Sequence, residues 1–556
     1  MRVSLKDWTT KGSPWVWLNA GAVAISLIMV VGLLGLIAVK GLVHFWPHAV
    51  LEAEHLAADG TRSIIIGEIV ETEEVTAEQL RTAGVRVPEG VDFLSRDLLK
   101  IGNRDISGFD FRWVLDRDLS NKHYPEDVMV MERYEWGNFY GYLLSVKENG
   151  QAVELAEKGD LWAELQGRIE RAEGIREKID HIEKGEIGSI NKGLERIRLK
   201  ERSLALKGQA TDAKLADLHV ERAEYDARYE GLQTELTTLY GLINRDSLEA
   251  TTMDGSVVEI SLAKVVKAFR PNQMNLFEKV VFYVKQIGAF ITEDPREANT
   301  EGGIFPAIFG TVMMVILMSI LVTPLGVITA VYLREYARQG PLTRVIRIAV
   351  NNLAGVPSIV YGVFGLGFFI YFIGSGVDQA MFPEALPSPT FGTPGLLWAS
   401  ITLALLTLPV VIVATEEGLS RIPRSIREGS LALGATKAET LWRVVIPMAS
   451  PAMMTGVILA IARAAGEVAP LMLVGVVKLA PSLPLDGNYP YLHLDQKFMH
   501  LGFHIYDVGF QSPNVEAARP LVYATSLLLV VVIALLNLSA VSIRNRLREK
   551  YKALEM

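Results

Sequence analysis

Cysteine is absent from the 556 residues, which excludes a disulfide-stapled secreted domain and a Cys-ligated zinc or iron–sulfur protein. No G-x-x-x-x-G-K-[ST] stretch occurs, so the chain lacks the phosphate-cradling loop that binds ATP. Neither a Ser-His-Asp arrangement nor a defensible pair of catalytic carboxylates stands out, which weighs against a self-sufficient enzyme. Basic residues do not dominate either: 55 Lys and Arg stand against 63 Asp and Glu, and no nucleic-acid partner is expected.

Apolar residues are plentiful. They make up 50% of the chain, against 21% charged, with a mean hydropathy of +0.26, so a disordered acidic chain is excluded. Their distribution is uneven. Charge is missing from Gly12 to Val39, Phe305 to Leu333, Gly395 to Thr415 and Leu521 to Ile543, and from Val345 to Ile373 except at Arg347. A sixth stretch, Pro451 to Val477, carries Arg463 and Glu467 near its middle. A hydrocarbon core of ~30 Å needs ~20 helical residues, so six spans and a bilayer environment are expected. The first run exceeds the ~7–15 residues of a signal peptide core and no small-residue cleavage site follows it closely, so an uncleaved anchor is expected.

Short loops set the orientation. With the N-terminus inside, 17 Lys and Arg face the cytoplasm, among them Arg2, Lys6 and Lys11, against 3 in the short loops of the other side. The positive-inside bias therefore places both termini in the cytoplasm of a cell-membrane protein. Residues 41–304 are too long for that rule and carry 33 basic and 48 acidic residues, an acidic extracytoplasmic domain.

That insert has two textures. From about Thr61 to Leu155, runs such as "SIIIGEIV" and "FYGYLLSV" alternate with turn residues, as short strands do. From about 160 to 245, apolar residues recur at three- and four-residue steps on either side of "KGQATD". This predicts an antiparallel, coiled-coil-like hairpin, with Gly174, Gly185, Gly188 and Gly193 weakening its first helix. The hairpin is a spacer or a docking arm. "SVVEISL" then predicts a returning strand, and Leu276 to Ile291 an amphipathic helix at the lipid surface.

The segment 416–450 is amphipathic, with two short helical pieces parted at Gly434. Its Glu428, Gly429, Ser430, Gly434, Ile446 and Pro447 resemble the EAA loop of ATP-binding-cassette importer permeases, with Gly-Ser where the family often has Ala-Ala. The resemblance implies a coupling helix seated in a cytoplasmic ATPase. Small residues (Ser430, Ala432, Gly434, Ala435) permit close approach, and Arg427, Glu428, Lys437 and Glu439 orient the rim. A basic loop lying on anionic lipid explains the charges but not the Gly and Ile-Pro spacing.

Three further stretches, "GGIFPAIFGT", "NNLAGVPSIVYGVFGLGFF" and "AIARAAGEVAPLM", resemble the phosphate-specific, PstA-type permeases of that family. The implied fold class is a mainly α membrane protein with six transmembrane helices of the importer-permease type and a large extracytoplasmic α+β insert. The expected domains are 1–40 (N-terminus and first span), 41–304 (insert), 305–545 (permease domain) and a basic tail, 546–556. The resemblance also implies a homologous permease of PstC type, an ATPase pair of PstB type that binds ATP and Mg²⁺, and an extracytoplasmic phosphate-binding protein of PstS type. This chain itself is expected to hold no cofactor and no metal.

Within the spans, an Arg costs ~2.5–3.5 kcal/mol unless it faces protein or water. Glu467 lies four residues beyond Arg463, one helical turn away and within ion-pair reach. Such a pair can open to admit an oxyanion, the planar guanidinium matching phosphate oxygens; it can equally lock the helix to a sister subunit. Asn351, Asn352 and Ser358 flank a Gly-Val-Pro kink whose freed backbone groups face the pathway or merely pack. His500 and His504 sit at helical spacing near His493, Asp495 and Asp507, and are expected to be solvated or interfacial rather than metal ligands. Two other functions remain open: a membrane-anchored coiled-coil sensor or scaffold, and a permease for molybdate, sulfate or phosphonate.

Overall fold

The computed structural model describes residues 13–551 apart from 58–59, 83, 85–86, 89, 155–159 and 513–514. Arg2, Lys6, Lys11 and the tail beyond residue 551 lie outside the described residues. Among the described residues six helices are long and apolar enough to cross a membrane: Trp15–Val43, Phe305–Tyr336, Ser358–Met381, Leu396–Arg421, Lys437–Gly466 and Ala518–Lys550.

The fourth span is the hub. Its apolar residues run all the way round, and Leu396, Ala399, Leu403 and Val411 are buried against the second and fifth spans. A helix apolar on every side is stable only when wrapped by others. The first span sits at the opposite extreme, exposing most of its apolar surface; it packs on the sixth, and an added Cβ on Gly41 would stand 2.9 Å from the Tyr523 carbonyl oxygen.

Two boundaries differ from the expectation. The third span begins at Ser358, because Pro341–Leu353 forms a separate amphipathic helix and the chain turns through Gly355 to Pro357 before restarting. Proline lacks the N–H needed to continue the ladder and disfavours helix just before it. The fifth span ends at Gly466, eleven residues short of Val477, and a single turn, Leu471–Val474, follows.

Residues 50–269 carry two antiparallel sheets. The first has the order β4-β3-β2-β1-β5, built from β1 (Val50–Leu56), β2 (Arg62–Thr76), β3 (Phe93–Lys100), β4 (Phe111–Leu115) and β5 (Leu119–His123). The second has the order β10-β9-β7-β6-β11, from β6 (Met129–Arg133), β7 (Phe139–Glu148), β9 (Asp246–Thr251), β10 (Val257–Ser261) and β11 (Val265–Phe269), with β8 (Gln151–Ala152) paired to β7. Thus "SVVEISL" does return to the sheet.

The hairpin is present. Its first arm runs from Leu161 to Leu206 through a wide turn at His181–Ile187, and its second from Asp212 to Ile243. Leu165, Ile169, Ile179, Ile190, Leu232, Leu236 and Ile243 bury their side chains with Met129, Phe139 and Leu248 of the second sheet, each worth roughly 1.5–3 kcal/mol. Tyr229, although in step with the apolar repeat, is exposed. Gly193 is no weak point: an added Cβ would lie 2.5 Å from the Tyr225 ring, so its small size lets the two arms close. The hairpin also reaches the membrane domain, where Lys192 pairs with Asp486 and His493 Nε2 lies 2.9 Å from Asp486 Oδ1.

Candidate functional site

The loop after the fourth span folds as a short helix, Arg424–Ala432, then turns at Gly434, whose φ of +89° suits a residue without Cβ. Thr436 and Glu439 form a reciprocal cap that starts the next helix. The second helical piece is not short, as expected, but runs without interruption into the fifth span.

Three of the four charges expected at the rim already have partners within the chain. Arg427 donates to the carbonyls of Leu419 (2.8 Å) and Ile422 (2.9 Å) and pairs with Glu335 at 3.0 Å. Lys437 bonds the Glu335 carbonyl and lies 4.6 Å from the Tyr336 ring centre. Glu439 accepts from the Thr436 backbone N–H at 2.9 Å. Glu428, Gly429 and Gly434 are exposed, whereas Ile446 and Pro447 are half-buried at the base of the fifth span, Ile446 packing beside Leu419 and Met453. The knob exposes large apolar side chains: Leu433 is 91%, Trp442 67% and Leu431 47% exposed. Large apolar side chains left exposed suit a surface for a partner.

The second constellation forms where the fifth span breaks. Arg463 lies in the last turn and Glu467 is the residue after the helix, with an extended ψ of 131°. Arg463 Nε and Glu467 Oε1 are 3.6 Å apart, an ion pair too long for a hydrogen bond. The pair is thus at a helix end rather than one turn apart in mid-helix, because the ladder stops at Gly466. Arg463 makes no hydrogen bond among the described residues, so its donors are free for another acceptor.

Beyond Glu467 the chain is irregular but packed. Leu471 and Val474 are fully buried, and the segment seats on a small-residue face of the third span: a Cβ on Gly362 would come 2.7 Å from Pro470 Cα, and one on Gly365 2.9 Å from Val474 Cγ1. Non-helical backbone at membrane depth is tolerated only where protein or water covers it. Tyr361, on the same face, bonds the Leu353 carbonyl at 2.6 Å and lies within electrostatic range of Arg463.

A family model of the binding-protein-dependent transport system inner membrane component matches residues 322–552. Phosphate transport system permease protein PstA 1 of Mycobacterium tuberculosis is 38% identical over 247 residues, 44% of this chain and 71% of that protein. The chain belongs to this permease family. The probable ABC transporter permease protein YqgI of Bacillus subtilis is 29% identical across 52% of this chain and 92% of its own length. A solved structure, the inward-facing MetNI methionine ABC transporter, aligns at 18% identity and a TM-score of 0.32, covering 43% of this chain and 94% of that one.

In this permease the expected pathway residues divide. Arg463 and Glu467 stay together. Asn351 and Asn352 are exposed on the helix 341–353, outside the third span, and Ser358 is half-buried at that span's first turn. Among the described residues no hydrogen bond joins any of the three to Arg463. Arg347, read as an interruption in a span, fixes the helix 341–353 to the Leu333 carbonyl (3.1 Å) and to Glu416 (3.3 Å).

The histidines are a correction. His500 and His504 are 1% and 2% exposed, and burial pushes both down to about 4, so they are neutral and packed rather than solvated. His500 Nδ1 accepts the Gly502 N–H at 3.1 Å. Sequence reasoning missed Tyr361, Leu433 and Trp442. The aromatic next to the Gly-Val-Pro kink and the large apolar residues flanking Gly434 were the signals available.

Proposed function

We propose that this chain is the permease subunit of an ATP-driven importer of inorganic phosphate. It forms the translocation path with a homologous permease, couples to an ATPase pair that binds ATP and Mg²⁺, and receives phosphate from an extracytoplasmic binding protein. The carrying observation is the Arg463–Glu467 pair, loosely held at a broken helix end with guanidinium donors uncommitted. Guanidinium binds phosphate oxygens in a planar fork, and a neighbouring carboxylate neutralises the empty site and keeps binding weak enough for release. The name of the mycobacterial relative supports phosphate as the cargo.

The chain performs no hydrolysis in this reading. Nucleotide-driven closure of the ATPase pair pushes on the exposed tip around Gly434, and the continuous helix from Lys437 carries that movement to Arg463. Both termini lie in the cytoplasm and residues 41–304 on the opposite side, a topology supported by the charge bias of the short loops.

Radiolabelled phosphate uptake by cells carrying Arg463→Gln, with membrane insertion verified, tests the reading. Uptake at least tenfold below wild type is expected; wild-type uptake removes Arg463 from the pathway. Competition by molybdate, sulfate or phosphonate at equal concentration, stronger than that by unlabelled phosphate, overturns the choice of anion.

A further inference from the structure

A second polar site, sharing no lining residue with the Arg463–Glu467 pair, lies where the insert meets the membrane domain. A cavity of about 480 Å³ opens between the first sheet, the helix Leu276–Thr292 and the adjoining ends of the first and sixth spans, within the ~300–1,000 Å³ typical of small-molecule sites. Glu68 on β2 and Lys100 on β3 stand directly opposite each other in the sheet and, with Glu301, line its polar end.

Most charges around this cavity are matched. Arg104 pairs with Glu297 at 2.7 Å, Lys267 with Glu132 at 2.8 Å, and Arg296 with Glu132 and Glu293. Glu68, Lys100 and Glu301 have no ion-pair partner among the described residues, and Glu301 Oε2 is buried without a hydrogen bond. The lining holds six carboxylates against four Lys or Arg. That surplus disfavours a free anion and calls for a ligand bearing an amine. The carboxylates do not converge as metal ligands, since no three His, Asp or Glu side chains meet in that way among the described residues.

The other end of the cavity is apolar, lined by Phe45, Trp46, Phe290 and Leu521. The helix over it turns Leu276, Phe277, Val280 and Val284 outward, an apolar stripe that lies in a membrane interface. Phe45 meets Phe290 in a tilted ring contact at 4.9 Å and Trp46 meets Tyr283 likewise at 5.7 Å, fastening that helix to the end of the first span. The mouth therefore sits at the level where lipid headgroups meet acyl chains.

We propose that this cavity binds the headgroup of an aminophospholipid from the insert-side leaflet, its amine held between Glu68 and Glu301 and its phosphate by Lys100. Glu68, Lys100 and Glu301 then find partners in one zwitterion, while the acyl chains leave past Trp46 and Leu521. The assignment does not depend on which anion the permease carries.

Native mass spectrometry of the full chain, titrated in detergent with phosphatidylethanolamine, phosphatidylcholine or free phosphoethanolamine, tests this. Phosphatidylethanolamine is expected to bind at least tenfold more tightly than phosphatidylcholine, whose trimethylated amine has no N–H to donate. The variant Glu68→Gln/Glu301→Gln removes the preference, whereas Lys100→Met weakens both lipids together because both carry the phosphate. Equal affinity for the two lipids in the wild-type chain, or a preference unchanged in the double variant, overturns the proposal. Free phosphoethanolamine binding as tightly as the lipid overturns the membrane source. Far-ultraviolet circular dichroism matching wild type, together with retained phosphatidylcholine binding, shows that the double variant is folded.

Discussion

The anchoring of the knob by Arg427 offers the sharpest test. In Arg427→Ala, two carbonyls at the end of the fourth span lose their donor and Glu335 loses its counter-charge. Hydrogen bonds to charged groups contribute ~1.5–3 kcal/mol each, and removing one partner of a buried ion pair costs ~3–5 kcal/mol. The Arg427 and Glu335 side chains are 19% and 13% exposed, so water reaches the vacated site in part and the low end, about 3 kcal/mol, is expected. Because the contacts join a nine-residue helix to its neighbours, the loss falls on local opening of the knob rather than on the whole membrane domain. At ~1.4 kcal/mol per factor of ten, hydrogen exchange in residues 424–432 quickens about 100-fold. Thermal unfolding of the remainder changes little. In the assembled transporter ATP hydrolysis continues while uptake falls, the signature of lost coupling. Arg427→Lys, which keeps the charge but not the fork of donors, falls between the two. Unchanged exchange in the alanine variant refutes the anchoring role.

Gly434→Val forces a β-branched residue to φ +89° in open space, costing roughly 1–2 kcal/mol; uptake falls while Gly434→Asn, which tolerates that conformation, stays near wild type. Gly193→Leu drives a side chain into the Tyr225 ring and destabilises the hairpin by about 1–3 kcal/mol, read as faster exchange in 188–206 and partly relieved by adding Tyr225→Ala. Burial, with Glu132 and Glu297 nearby, raises Glu301 from 4.5 to about 7, Lys100 and Arg296 opposing. The folded state therefore holds a proton that the unfolded chain gives up, so stability is highest below pH 4.5 and falls by roughly 3 kcal/mol as pH rises through 7. Glu301→Gln flattens that fall in thermal melts between pH 5 and 8, and an identical slope in both proteins refutes the raised carboxyl.

Neighbouring residues alone determined much of this protein. Six apolar runs, the step of the hairpin, the strand signals and the Gly434 turn all arise from interactions along a few consecutive residues, and each is legible without knowing what lies across the fold. Burial partners are not local. Arg427 and Lys437 read as rim charges until the end of the second span meets them; His500 and His504 read as solvated or interfacial until neighbouring elements bury them; Arg463 and Glu467 read as a helical pair until the packed segment beyond Gly466 takes Glu467 out of the helix. Asn351 and Asn352 leave the third span because Pro357 breaks a ladder that hydrophobicity alone would continue. The cavity beside Glu68 and Glu301 is beyond sequence reasoning altogether, since its walls come from β2, β3, the helix 276–292 and two spans whose approach only the packed chain decides.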